Sequence, residues 1–206
     1  MRQARSRASA RAGRRGACER RTAETRVRVA LNLDGGGRAT VETGLGFLDH
    51  MLTILARHAL VDLEIKCRGD LKVDAHHSVE DIGIAFGEAL RQALGDKRGI
   101  RRFGSFLAPL DEALARAVVD LSGRPYLVYR LPLRRHLIGE VDSELFEDFF
   151  AALVDHGRLN LHLDLLRGRN SHHCVEAAFK AFARALREAV ALDRRESGVP
   201  STKGIL

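Results

Sequence analysis

Two short strings hold adjacent histidines followed by a glutamate: His76-His77-Ser-Val-Glu80 and His172-His173-Cys-Val-Glu176. In each, the first histidine and the glutamate are four residues apart. That spacing places them on one face of a helix, where two ligands can be offered to a single metal ion. Neighbouring residues diverge by about 100° around a helix, so the second histidine of each pair points to a different site. Each string is therefore expected to serve two metal sites. Imidazole mixed with carboxylate favours Mn, Fe, Co, Ni or Zn over Ca or Mg. Cys18, Cys67 and Cys174 are too few and too widely spaced for a structural zinc site or a disulfide framework, which suits a reducing compartment. Asp74 and Asn170, just ahead of the two strings, are expected as helix N-caps. The lone His58, His136 and His162 are expected at the surface or in caps.

The strings belong to a longer internal duplication. His58 to Ile65 aligns with His156 to Leu163 at an offset of 98, and Asp74 to Glu80 aligns with Asn170 to Glu176 at an offset of 96. The match resumes at Glu88–Leu94 against Arg184–Val190. Repeat one runs over about 22–95, repeat two over about 108–191, and 192–206 forms a C-terminal tail. Each repeat reads alike. Val27, Val29, Leu31 and Leu33 alternate, Asp34–Gly37 turns, and Ala39, Val41 and Thr43 return, which predicts a hairpin. The second repeat offers Ala113–Leu121, a Ser122-Gly123 turn and Tyr126–Leu131. Helices are expected near 47–58 and 143–156, strands at 61–66 and 159–164, and long amphipathic helices at about 78–94 and 174–191. The predicted class is α+β, each repeat a mostly antiparallel sheet with helices on one face.

The formal net charge of +7 suggests nucleic acid until it is located. Residues 1–21 carry eight arginines and one acid, Glu19, and the rest of the chain is balanced. Residues 1–20 are expected to be a disordered basic arm on a single folded domain at 21–206, with a composition like a transit peptide and no secretory signal. The balanced body has no Trp and two Tyr, which argues against a nucleic-acid surface. No apolar run is long enough to span a membrane, so a cytoplasmic protein is expected.

Further strings extend the pattern: Arg21-Thr-Ala-Glu24-Thr25, Gly44-Leu-Gly-Phe-Leu-Asp-His50-Met-Leu52, Asp120-Leu-Ser-Gly-Arg124-Pro125, Phe179-Lys-Ala-Phe-Ala-Arg-Ala-Leu186 and Pro200-Ser-Thr-Lys-Gly204. With the two His-His strings, they resemble the imidazoleglycerol-phosphate dehydratase family over about 21–206. The resemblance implies a duplicated α+β fold, two Mn2+ ions per active site, and a homo-oligomer of twenty-four subunits with sites between subunits. The metal ligands it implies are His50, His76, His77, Glu80, His172, His173 and Glu176. An eighth ligand, commonly a histidine before a Phe-Phe pair, falls on Asp148, which also lies 98 residues after His50; His156 is the fallback.

The implied reaction is dehydration of imidazole glycerol phosphate to imidazole acetol phosphate in histidine biosynthesis. The hydrogen to be lost has no adjacent carbonyl, so a metal on the azole nitrogens would have to acidify the ring and help expel the neighbouring hydroxyl. Glu24 is the expected proton-shuttling base, with Glu80 and Glu176 as ligands and further bases. Arg102, Arg124, Lys180 and Lys203, with Ser201 and Thr202, are expected at the phosphate, and His50 and Glu24 at the substrate. Gly35–Gly37 is a turn, because no helix with a Lys-Ser/Thr pair follows it. The competing enzyme reading is a binuclear metallohydrolase acting on a small phosphate ester, which would favour bridging carboxylates over imidazoles. The competing binding reading is a nucleic-acid or metal-storage protein.

Overall fold

The computed structural model describes residues 13–206. Repeat one contributes β1 (Arg15–Arg21), β2 (Thr25–Asn32), β3 (Ala39–Glu42), α1 (Gly46–Ala59), β4 (Asp62–Gly69) and α2 (His76–Leu94). Repeat two contributes β5 (Phe103–Leu110), β6 (Ala113–Asp120), β7 (Tyr126–Arg130), the short β8 (Leu137–Ile138) and β9 (Val141–Asp142), α3 (Leu145–Gly157), β10 (Asn160–Arg167) and α4 (Ser171–Val190). The two main sheets run β1-β2-β4-β3 and β5-β6-β10-β7, the same order in each half. Each is antiparallel except for its last pair, β4–β3 or β10–β7, which is parallel. The duplicated α+β architecture is as expected.

The hairpins are not. β2 and β3 were expected to pair, yet β4 lies between them, with Leu31 opposite Leu63, Val29 opposite Ile65 and Val27 opposite Cys67. The Asp34–Arg38 turn is wide enough to admit a strand, and Asp62 at the start of β4 ties it down by accepting from the Gly36 and Arg38 N–H groups at 2.9 and 3.1 Å. β10 separates β6 from β7 in the same way. A parallel pair needs a crossover, and α1 and α3 supply it.

The structureless arm is corrected as well. Residues 15–20 belong to β1, which pairs along its whole length with β2; residues 1–12 lie outside the described residues. Alternation did not mark β1 because its inward positions are Gly16, Cys18 and Arg20 rather than large apolar residues. Gly16 lies so close to α2 that a Cβ would meet the Ala89 carbonyl, and Gly104 on β5 meets Ala185 of α4 in the same way. Arg20 reaches buried Asp81 of α2 at 2.6 Å, and the Thr25 hydroxyl donates to the same carboxylate.

The four helices lie against the inner faces of the sheets, α2 on β1 and β2, and α4 on β5 and β6; α1 packs on α4 and α3 on α2. The pairing therefore crosses the repeats. Phe86, Phe146, Phe149, Phe150, Phe179 and Phe182 fill the helical centre, each fully buried and each contributing about 1.5–3 kcal/mol of burial free energy. No helix among the described residues is long and apolar enough to cross a membrane.

Candidate active site

His50 sits in the first turns of α1, and three contacts fix where that turn begins. Asp49 accepts from the Thr43 N–H and hydroxyl at 2.9 and 2.6 Å, and Glu140, from the β8–β9 turn, accepts from the Phe47 N–H at 3.1 Å. His172 is fixed from the other side. Asn170 caps α4 by accepting from the His172 N–H at 3.0 Å, and Phe47 meets the His172 ring edge-on at 4.9 Å. As a result His50 Nε2 lies 3.6 Å and His172 Nε2 3.3 Å from the same Glu176 oxygen, with all three ligand atoms within 4.8 Å of one another. Glu176 also receives Lys180 at 2.7 Å. Burial pushes its carboxyl up, but Lys180 and the two imidazoles outweigh burial and hold it below the ordinary glutamate range.

The pseudo-equivalent cluster joins α3 to α2. His76 Nδ1 lies 3.4 Å from Asp148, and Glu80 stands exposed one turn beyond His76. Phe149 and Phe150, packed in the helical centre, anchor Asp148. Asp74 accepts from the His76 N–H at 2.8 Å, but the N-cap of α2 is Ala75, so Asp74 sits one residue outside the position that Asn170 fills on α4. An open cavity beside His76 carries Asp74, Asp142, Glu144 and Asp148 in its wall, a lining that suits a cation. His156, the fallback ligand, is elsewhere: it bonds Glu88 at 3.3 Å, eight residues or roughly 12 Å along α3 from Asp148.

The second histidine of each pair points away from the first, with ring planes 85° apart at His76–His77 and 90° at His172–His173. His77 Nδ1 lies 3.1 Å from Asp70 and 3.8 Å from Glu24. His173 Nδ1 lies 2.9 Å from Glu112, which also accepts from the Asn170 N–H at 2.8 Å. Hydrogen bonding to Asp70 raises the pKa of His77, and hydrogen bonding to Glu112 raises that of His173. The His173 contact and the backbone donors hold Glu112 at about 2. A carboxylate on Nδ1 leaves Nε2 outward and unprotonated in the neutral ring, the arrangement of a metal-binding histidine. Sequence reading missed Asp70 and Glu112. The signal for Glu112 was available: it follows Glu24 by 88 residues, the offset that carries β2 onto β6. Also unforeseen are Arg134, Arg135 and Arg169, which line a cavity with His173.

The residues expected at the phosphate divide into two groups. Lys180 is with Glu176. Arg102 donates its backbone N–H to Ala189 at the far end of α4, roughly 20 Å along the axis from Glu176. There it grips Asp120 at 2.7 and 3.2 Å and donates to the Pro200 carbonyl at 2.9 Å. Exposed Arg124 and the Ser201–Lys203 tail share that end, with the Ser201 hydroxyl accepting from the Lys203 N–H at 3.2 Å. One chain thus holds the pieces of a site too far apart to close on one small ligand.

The His50–His172–Glu176 set fits a divalent transition ion, since two imidazole nitrogens and an anionic oxygen lie within 4.8 Å of one another. The family model for imidazoleglycerol-phosphate dehydratase matches residues 43–186. The chain is 59% identical over 188 residues to the imidazoleglycerol-phosphate dehydratase of Cereibacter sphaeroides strain KD131, covering 91% of this chain and 96% of that one. It superposes on the crystal structure of the Staphylococcus aureus N315 imidazoleglycerol-phosphate dehydratase with TM-score 0.79 and 41% identity, covering 87% of this chain and 99% of that one. The Pyrococcus furiosus IGPD gives TM-score 0.80 at 37% identity, over 92% and 100%. With matching residues across both repeats and a matching fold, this chain belongs to the imidazoleglycerol-phosphate dehydratase family.

Proposed function

We propose that this chain removes water from imidazole glycerol phosphate to give imidazole acetol phosphate in histidine biosynthesis, using two Mn2+ ions per active site. The observation that carries the reading is the convergence of His50, His172 and Glu176, two imidazoles and an anionic carboxylate from opposite repeats. Family membership narrows the substrate class, and the imidazole-rich donor set suits capture of an azole better than phosphate-ester hydrolysis.

His50, His172 and Glu176 would hold one ion. His76, Asp148 and Glu80 form the equivalent set, and His77 and His173 present outward nitrogens to complete a site. When bound, the ions supply positive charge that makes the azole ring a stronger acid and a better push for the departing hydroxyl. Glu24, on the β1–β2 turn beside His77, takes the carbon-bound proton. Proton and hydroxide leave together as water, and the remaining enol tautomerises to the ketone. Arg102, Arg124, Lys180, Ser201, Thr202 and Lys203 bind the phosphate dianion. Because the His172–Glu176 cluster and Arg102 lie toward opposite ends of α4, the site is shared between copies of the chain, in keeping with a homo-oligomer of twenty-four subunits.

Incubating the protein with Mn2+ and imidazole glycerol phosphate, and following the enol by absorbance, tests the reading. Ketone formation is expected. Replacing Glu24 by Gln should lower kcat by about 10²–10⁴, the usual contribution of a positioned acid–base group. Release of inorganic phosphate without ketone would instead indicate a hydrolase.

A further inference from the structure

Five non-glycine residues of the described chain are held at positive φ, and three of them are cations that meet at one loop: Lys97 at 60°, Arg102 at 71° and Arg158 at 54°. Side chains seldom occupy this backbone region, and strain of this kind gathers where a group must be aimed. The loop is 120–124. Arg102 grips its first residue, Asp120. Lys97 Nζ donates to the Leu121 carbonyl at 2.9 Å, Arg158 Nε to the Gly123 carbonyl at 3.3 Å, and Asn160 Nδ2 to the Arg124 carbonyl at 2.7 Å. Three carbonyls of one short segment are thus held by side chains from two distant places in the chain, Lys97 and the Arg158–Asn160 stretch, and the Arg124 side chain is left exposed.

Lys97 stands out among the three. It is 6% exposed, and its ammonium has a single acceptor, a backbone carbonyl. Among the described residues no carboxylate lies within 4.0 Å of it, so its charge is buried without an ion pair. Burial, with Arg102 and Arg158 nearby, depresses its pKa, while Asp120 opposes the shift. A buried ammonium with no direct ion pair is costly, a cost that nearby Asp120 only partly offsets, and a thioether would fill the same volume at lower cost.

We propose that Lys97 is a positioning residue for substrate anion binding. It fixes the 120–124 loop through the Leu121 carbonyl, so that Arg124 projects toward the phosphate, and it adds a buried positive charge behind that group. The proposal rests on the assignment of Arg102, Arg124 and the 201–203 tail to the phosphate.

The test compares full-length wild type, Lys97→Met and Lys97→Arg by calorimetric titration with inorganic phosphate, by steady-state kinetics and by thermal melting. Lys97→Met should raise the phosphate Kd and the KM together by about tenfold with kcat within twofold, and Lys97→Arg should recover most of the loss. A phosphate Kd within twofold of wild type in Lys97→Met overturns the proposal, as does a fall in kcat at unchanged KM or a wild type that binds no phosphate. If Lys97→Met does not fold, Asn160→Leu replaces it; removing the shorter of the two side-chain hydrogen bonds to the Arg124 carbonyl, which Ser122 also reaches, should raise KM severalfold, and an unchanged KM overturns the proposal. Failure of the dehydratase reading would look different: wild type would form no ketone, while the phosphate titration would still rank the variants.

Discussion

His50 and Glu176 come from opposite halves of a duplicated chain, yet His50 Nε2 lies 3.6 Å from the Glu176 carboxylate. The contact follows from crossed packing, α1 on α4 and α2 on α3, so that each cluster takes a residue from either repeat. Replacing His50 by Gln should therefore lower metal retention even though the His172–Glu176 pair, on one helix, survives. Equilibrium dialysis against Mn2+ measures this; unchanged retention would remove His50 from the ligand set.

Glu112 touches His173 and not His172, so its replacement by Gln should act on one site. Loss of a carboxylate that orients a ligating imidazole weakens metal binding by about 10–100-fold. Metal titration should show one class of site weakened and the other unmoved. Equal weakening of both, or of neither, would contradict the assignment.

Asp81 is buried and joins Arg20 of β1 to Thr25 of β2. Asp81→Ala strands both partners and should cost about 2–4 kcal/mol in urea unfolding, within the range for breaking a buried, hydrogen-bonded charge pair. For the same reason removal of residues 1–12 and removal of residues 1–21 should differ, because only the longer deletion takes β1 and its clamp. Circular dichroism melts of the two truncations make the comparison.

How much could be read in advance divides along physical lines. The four helices were legible because apolar residues recur at helical spacing, and the His-His strings because the duplication repeats them. β1 was not legible, since Gly16, Cys18 and Arg20 give its inward face no apolar signal. The insertion of β4 between β2 and β3 was not legible either, because turn residues at Asp34–Gly37 report a reversal and not which strand fills the gap. The partners of His77 and His173 sit 7 and 61 residues away; the 88-residue offset from Glu24 points to Glu112, whereas only the folded chain brings Asp70 to His77. The residues proposed for the phosphate rest on a resemblance, and their separation along α4 appears only in three dimensions.

Gly83 and Gly87 on α2 are where α3 approaches closely; a Cβ at Gly87 would lie 2.7 Å from the Gly157 nitrogen and the Leu153 carbonyl oxygen, both backbone atoms. Gly87→Ala should therefore destabilise the fold by about 1–3 kcal/mol through overpacking, and by parting α2 from α3 it should separate His76 from Asp148. A variant as stable as wild type would argue against so close a contact.

Acid stability has a local source in Asp62. Its carboxylate accepts from the Arg38 side chain at 2.7 Å and from the Gly36 and Arg38 N–H groups, which hold it well below the ordinary aspartate range. A depressed carboxylate stabilises the fold above its unfolded pKa, near 3.9, and loses that contribution as pH falls toward its folded value. The stability gap between wild type and Asp62→Asn should be constant above about pH 5 and shrink below about pH 4. A gap that widens in acid would reverse the sign and refute the assignment.

Metal dependence is tested most directly by metal analysis paired with turnover on one preparation, before and after dialysis against EDTA. The expected result is a transition-metal ion in the active protein, loss of ketone formation with the ion, and recovery on adding Mn2+. Full turnover from protein containing no transition metal would contradict it.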